Sequence, residues 1–457
     1  MRDRMQEALK RSKADYTEIR IEEKESTRIA YQGKDLENAG TVLDKGGIVR
    51  VLVRSKGWGV ATFNNLDDLA TRVDQAYQCA QVVSSPEPIE MAEVEPVEKA
   101  ITVKMKLDFR NISLAQKKAL AERQNDILRG YSDKIIDTFS LYVDSFSRVT
   151  FANSQGTFIE AERPSVALAA VAIARDGDNV QQAHKTDAAP AGFEYVLEKE
   201  ELAKQAARRA VELLGAKRVM GGQYPVVLDP MLAGVFIHEA FGHLSESDFV
   251  YENPKAKEMM LLGRQFGKDI LNVYDDGSIE GLRGTTLYDD EGTHGRHNDL
   301  IKDGILVGRL HSRETAAKMG ERPTGNARAV NYRFAPIVRM TNTAIQNGDS
   351  SFQDMIRDIE LCIYACDAYG GETQLENFSF SSGYAYMIRH GQIAEMVKDV
   401  ILAGNLFMTL ANIDLIGNDF RWISGAGGCG KANQAHLPID CGAPHIRIQN
   451  VVIGGES

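Results

Sequence analysis

The chain is poor in cysteine, tryptophan and proline, with 5, 2 and 12 among 457 residues. The thiols are Cys79, Cys362, Cys366, Cys429 and Cys441. Odd in number and irregularly spaced, they do not read as a disulfide framework and suit a reducing compartment such as the cytoplasm. No run of about 18 apolar residues could span a bilayer. The opening MRDRMQEALKRSKADY is charged throughout and has no apolar core, so a secretory leader is not expected there. Basic residues are not in excess: 53 Lys and Arg stand against 64 Asp and Glu, a net charge of −11. Phosphate backbones demand clustered cations, so nucleic acid is not expected as a partner, and no anionic membrane surface is either. What is present is length enough for two or three domains and 43% hydrophobic residues to fill their cores.

The pattern predicts an α+β protein. Residues 1–12 read as a helix, and 16–31 and 48–63 as strands, with Gly46 and Gly47 marking the turn between them. A helix is expected from Asn65 as N-cap, with an apolar stripe of Leu66, Leu69, Val73, Ala76 and Ala80. SSPEPIEMAEVEPVEK, rich in proline and glutamate, reads as a linker. Helix is expected over 113–130 and 197–215, with strands over 135–175 turning at Asn153 to Gly156. The two regions share a strand–turn–strand plus helix plan that hints at duplication. Beyond Gly221 the pattern is mostly strand, with turns at Asp276-Gly277, Asn347-Gly348 and His390-Gly391. The expected domains are 1–84 (α/β), a linker at 85–104, 105–219 (α/β) and 220–457 (β-rich, a barrel or rolled sheet carrying a metal helix).

That helix lies in YPVVLDPMLAGVFIHEAFGHLSESD. Asp229 can cap it and Pro230 fits its first turn. It carries His238, Glu239 and His243. The familiar zinc helix spaces its histidines by four, which puts both imidazoles on one face. Here the spacing is five, and five residues of regular helix rotate about 140°. A π-bulge would restore the register, or the helix could end at Gly242 and let His243 swing round. Otherwise the two histidines are ordinary polar residues near a helix end.

A second segment, SGAGGCGKANQ, sets Cys429 among glycines that would let another segment approach its sulfur. Two imidazoles and a thiolate suit one zinc ion with a position left open, and Glu239 beside the first of them suits a general base. Other readings stand beside this one: a phosphate loop (Ala432 sits where Ser or Thr is needed), a cysteine nucleophile, a blue-copper site, or a buried cysteine in a tight turn. Glu246 and Asp248 are candidates to orient a histidine N–H. Asp289, Asp290 and Glu291, with His294 and His297, read as a metal cluster or, more simply, a polar hairpin loop. Cys362 and Cys366 read as one face of a buried helix. Arg339, Asn342 and Thr343 are candidates to line a substrate cleft.

Taken in order, HEAFGH, YDDEGT, LIKDGILVGRL, PIVRMTNT, GGE with NFSFSSGYAYMI, IGNDF, GCGKANQ and IQNVVIGG resemble the TldD branch of the TldD/PmbA peptidases, once described as modulators of DNA gyrase. The resemblance covers nearly the whole chain. It implies a zinc site of His238, His243 and Cys429 with Glu239 catalytic, and a mostly β C-terminal domain behind two smaller α/β regions. It also implies a dimer, with itself or with a paralogue lacking HExxxH. Members degrade short or unfolded peptides, among them a microcin leader and an antitoxin. One departure is visible: LSESD follows the second histidine where the family pattern would read GLEGD, so the glycines around Glu246 are missing. The competing expectation is a non-catalytic subunit that binds peptides or stabilises a catalytic paralogue.

Overall fold

The computed structural model describes residues 1–454. Helix α1 (Arg2–Lys10) leads into strands β1 (Tyr16–Gln32), β2 (Asp35–Val53) and β3 (Gly57–Phe63), followed by α2 (Leu69–Val82). After a short β4 (Glu98–Ile101) come α3 (Leu114–Gly130), β5 (Ile135–Asn153), β6 (Phe158–Asp176), β7 (Asn179–Ala189) and α4 (Glu200–Gly215). All seven strands join one sheet in the order β3-β2-β1-β5-β6, with β4 and β7 both against β6. β1 and β5 pair antiparallel at its centre, each followed outward by its own hairpin partner.

Two local expectations are corrected. Gly46 and Gly47 do not turn the chain; they lie inside β2, and the turn is at Gly33, whose φ of +57° favours glycine. They are glycines for steric reasons. A Cβ on Gly46 would stand 2.2 Å from the Tyr332 ring, and one on Gly47 would stand 2.5 Å from the Phe63 ring. The cap of α2 is Asp68 rather than Asn65: its carboxylate accepts the Thr71 N–H at 3.0 Å. The stripe from Leu66 to Ala80 is buried as the spacing predicts. Within the segment read as a linker, Glu98–Ile101 pairs in parallel with β6.

The C-terminal part is β-rich and holds a closed barrel. Gly222–Leu228 pairs with Ile446–Gly454, which pairs with Ile401–Asn405, then Asn377–Arg389, then Leu361–Gln374, and the last returns in parallel to Gly222–Leu228. Cys362 and Cys366 therefore lie on a strand, not a helix; residues four apart share a face in either element, so spacing alone did not separate the two. A six-stranded sheet built on Val273–Asp276, Asn342–Ile345 and Asp440–Ala443 lies alongside. Phe236, Phe378, Phe380, Ile446 and Ile448 belong to the shared core. Among the described residues no helix is long and apolar enough to cross a membrane.

The Asp289–Glu291 cluster fastens the N-terminal sheet to this part. Asp290 takes Arg20 at 2.7 Å and Arg163 at 3.0 Å. Arg50 bridges Glu18 at 2.5 Å and Glu291 at 2.9 Å, all buried. Removing one partner from such a network strands a buried charge. Arg50→Met is therefore expected to destabilise the protein by about 3–5 kcal/mol, read as a lower urea midpoint. A loss under about 1 kcal/mol, the size of an exposed pair, would show that the network is not the fastening.

Candidate metal centre

Asp229 begins the site. Its carboxylate accepts the Leu232 N–H at 2.8 Å, Pro230 occupies the first turn, and the helix α5 (Pro230–Ile237) starts directly from the barrel strand Gly222–Leu228. Burial pushes the Asp229 carboxyl up to about 6, against the pull of its two backbone N–H donors. Residues His238–Gly242 then form a π turn, in which the His243 N–H reaches back five residues to the His238 carbonyl. Of the two devices the five-residue spacing allowed, this is the one present. It brings the two rings to 5.2 Å between centroids at 79°. Gly242 leaves room for Met340: a Cβ there would stand 2.1 Å from the Met340 sulfur.

Cys429 arrives on a hairpin, Cys429–Lys431 paired with Gln434–Leu437, turned by Ala432 and Asn433 at φ of +48° and +64°. Gly428 serves the hairpin, since a Cβ there would meet the Leu437 carbonyl at 2.6 Å. The Cys429 Sγ lies 3.2 Å from His243 Nε2. Donor atoms of His238, His243 and Cys429 all fall within 4.8 Å of one another, and no other such group of His, Cys, Asp and Glu occurs among the described residues. The Asp289–His297 segment is thus an ion-pair network, with His297 held between Asp276 and Asp299.

The polar groups around these three donors are ordered. Glu246, 1% exposed, accepts from His243 Nδ1 at 3.0 Å, so His243 presents Nε2 to the thiol. Asp248 touches no histidine; it accepts from Lys431 Nζ at 2.6 Å, and the same ammonium lies 3.0 Å from Glu246. Lys431 escaped the sequence reading, although its position two residues after Cys429 on a strand was a usable signal. Arg339, Asn342 and Thr343 line no cleft. All three are fully buried: Arg339 donates to the carbonyls of Cys429 (2.7 Å) and Gln434 (3.2 Å), Asn342 to that of Asp276, and Thr343 to the Asp275 carboxylate. Glu239, by contrast, is one-third exposed, with Oε2 3.8 Å from His243 Nε2.

The donor set fits zinc. Nδ1 of buried His238 has no protein partner. Burial raises the Cys429 thiol, but the attraction of His238 and His243 outweighs it and brings the group down to about 5. Burial opposes charge on His243, yet Glu246 and Cys429 lift it to about 9; the Cys441 and Cys429 sulfurs raise His238 well above its usual value in the same way. Glu246 is held at about 2, where His243 and Lys431 overcome its burial. A thiolate facing imidazolium is the metal-free state of a site that binds a cation by exchanging protons for it.

Family models of the PmbA/TldA metallopeptidases match the chain three times: domain 1 over residues 17–80, the central domain over 107–214 and the C-terminal domain over 221–455. A metalloprotease of Synechocystis is 46% identical over 447 residues, 98% of this chain and 96% of its own. A zinc metalloprotease TldD homolog of Saccharolobus solfataricus is 31% identical over 324 residues, 70% of this chain and 72% of its own. The crystal structure of TldE from Thermococcus kodakarensis superposes with a TM-score of 0.80 at 18% identity, covering 100% of both chains, a likeness of fold.

His243, lifted to about 9, holds a proton at pH 7 that it must release to bind a metal. Zinc uptake is therefore expected to release about one proton per ion at pH 7, with affinity rising from pH 6 to 8. Calorimetry in buffers of different ionisation enthalpy measures the release. Zinc uptake without proton release would contradict the paired charge state.

Proposed function

The chain belongs to the PmbA/TldA metallopeptidase family, and from that membership and the site's geometry we propose that it is a zinc-dependent peptidase of low sequence specificity acting on short or unfolded peptides. The observation that carries this reading is the convergence of His238, His243 and Cys429 within 4.8 Å. These three residues would hold one zinc per chain. A zinc ion supplies Lewis acidity, polarising a peptide carbonyl and lowering the pKa of a water to about 7. Glu239 is the general base: its Oε2 takes a proton from the attacking water and returns it to the departing amine. Its partial exposure, beside a His238 that is 2% exposed, suits a group that must meet substrate. Glu246 fixes the His243 ring by accepting at Nδ1.

Glu239→Gln removes the proton acceptor and leaves the ligands. It is expected to keep zinc while turnover falls by about 100-fold or more, whereas His238→Ala, His243→Ala and Cys429→Ala lose metal and activity together. Unchanged turnover in Glu239→Gln would exclude this role, and a wild type that binds peptides without cutting them would favour a non-catalytic subunit. Zinc retained by Cys429→Ala would remove the thiol from the ligand set.

Five strands close into the barrel, whereas the six-stranded sheet ends at Arg421–Ile423, whose chain runs through Ser424–Gly428 into Cys429. An extended peptide added at that edge is held through its main chain, with little regard for its side chains. A folded domain offers no such strand. Cleavage of unstructured peptides at many different sequences is expected, with a stable folded protein spared and its destabilised mutant cut, mapped by mass spectrometry. A single cleavage motif, or fast cutting of the folded control, would overturn this. The same sample is expected to be a dimer, with itself or with a paralogue lacking HExxxH; a fully active monomer in light scattering would rule that out.

A further inference from the structure

We propose that Lys431 is a positioning residue of the metal centre, an inference that rests on the zinc-peptidase reading above. Lys431 and Cys429 lie on one short strand, so a single hairpin delivers both. The Lys431 ammonium has three protons to donate and three partners on separate segments: Glu246 Oε2 at 3.0 Å, Asp248 Oδ1 at 2.6 Å and the Val338 carbonyl at 2.9 Å. Glu246 is 1% exposed, and its other oxygen, Oε1, has no partner. A histidine bound to a metal is neutral. With His243 in that state, Lys431 is the one full positive charge paired with Glu246 among the described residues. A buried carboxylate left without a cation is strongly disfavoured. Lys431 therefore does two things at once: it holds the carboxylate that orients His243, and it ties that carboxylate to the strand bearing Cys429. Arg339 secures the same hairpin through the Cys429 carbonyl at 2.7 Å.

The test is zinc affinity, measured by competition with a chromophoric chelator, on wild type, Lys431→Met, Lys431→Arg, Glu246→Gln and the Lys431→Met/Glu246→Gln double variant, each checked for folding by circular dichroism. Lys431→Met is expected to weaken zinc binding about 10–100-fold, and Lys431→Arg to restore most of it. The double variant is expected to bind within about 3-fold of Glu246→Gln alone, because the charge at position 246 that couples Lys431 to His243 is then gone. Lys431→Gln, which keeps a donor but no charge, replaces Lys431→Met if that variant does not fold, with the same expected loss. Wild-type affinity in the uncharged variant, or losses that multiply in the double variant, would overturn the inference. A wild type that binds no zinc would overturn the zinc reading itself, an outcome distinct from tight wild-type binding that Lys431→Met leaves unchanged.

Discussion

One hydrogen bond sets the geometry on which the site depends, the His243 N–H donating to the His238 carbonyl across five residues. In a regular helix the two rings would point about 140° apart, and a thiol arriving from elsewhere would meet only one of them. The π turn takes up the extra residue, so His238, Glu239 and His243 share one face. Its direction is inherited from the barrel. Strand Gly222–Leu228 is paired on both sides, Asp229 turns it directly into α5, and no flexible connection intervenes. Met340, two residues before the strand Asn342–Ile345, packs into the space that Gly242 leaves open. A side chain larger than hydrogen at 242 would press on the turn that aligns the ligands.

The parts legible in the sequence are those fixed by local chemistry. Asp229-Pro230 opens a helix by its own cap and first turn, and the residue types of His238, Glu239, His243 and Cys429 make metal one of the readings that the sequence leaves open. The stripe over α2 and the turn at His390-Gly391, both residues with positive φ, are also local. What escaped is tertiary. Gly46 and Gly47 read as a turn, yet they are glycines because Tyr332, nearly 300 positions away, and Phe63 press on β2. Arg339, Asn342 and Thr343 read as cleft residues because they are polar within a strand pattern, but their partners are buried carbonyls and a carboxylate from distant segments. Asp289, Asp290 and Glu291 resemble a ligand cluster because acids at close spacing do; the arginines that pair with Asp290 and Glu291 come from β1, β2 and β6, and Asp289 accepts backbone N–H groups.

The buried charges divide into two groups with different work. Those between the N-terminal sheet and the rest of the chain are full ion pairs with several arginines, and they set how the two parts meet. Those around the three donors are sparser. His243 is hydrogen-bonded to one carboxylate, that carboxylate has one lysine, and Cys429 has its carbonyl held by one arginine. These bonds fix the His243 ring and the backbone that carries the thiol, and leave Nδ1 of His238 without a protein partner. That is the condition under which a cation can replace the protons held between thiolate and imidazole.

The departure of LSESD from the family's GLEGD bears on the loop that presents Glu246. Glycines there would leave the backbone free to move, with its polar groups open to solvent. In this chain Leu244 and Ser247 stand at those two positions, and Ser245 and Ser247, which flank Glu246, are both fully buried. The Ser245 hydroxyl donates to the Gly242 carbonyl at 2.6 Å, satisfying a group at the end of the π turn, where helical partners run out. The Ser247 hydroxyl meets His311 at 3.1 Å, and His311 is itself bound to Glu321. Each serine thus binds the loop to what lies on its own side, one to the turn that aligns the imidazoles and the other to a polar cluster beneath. Glu246, between them, is fixed from both directions before it meets either His243 or Lys431. The Ser247 hydroxyl, at a position where the resemblance would put a glycine, thus helps to hold the carboxylate in place by hydrogen bonding.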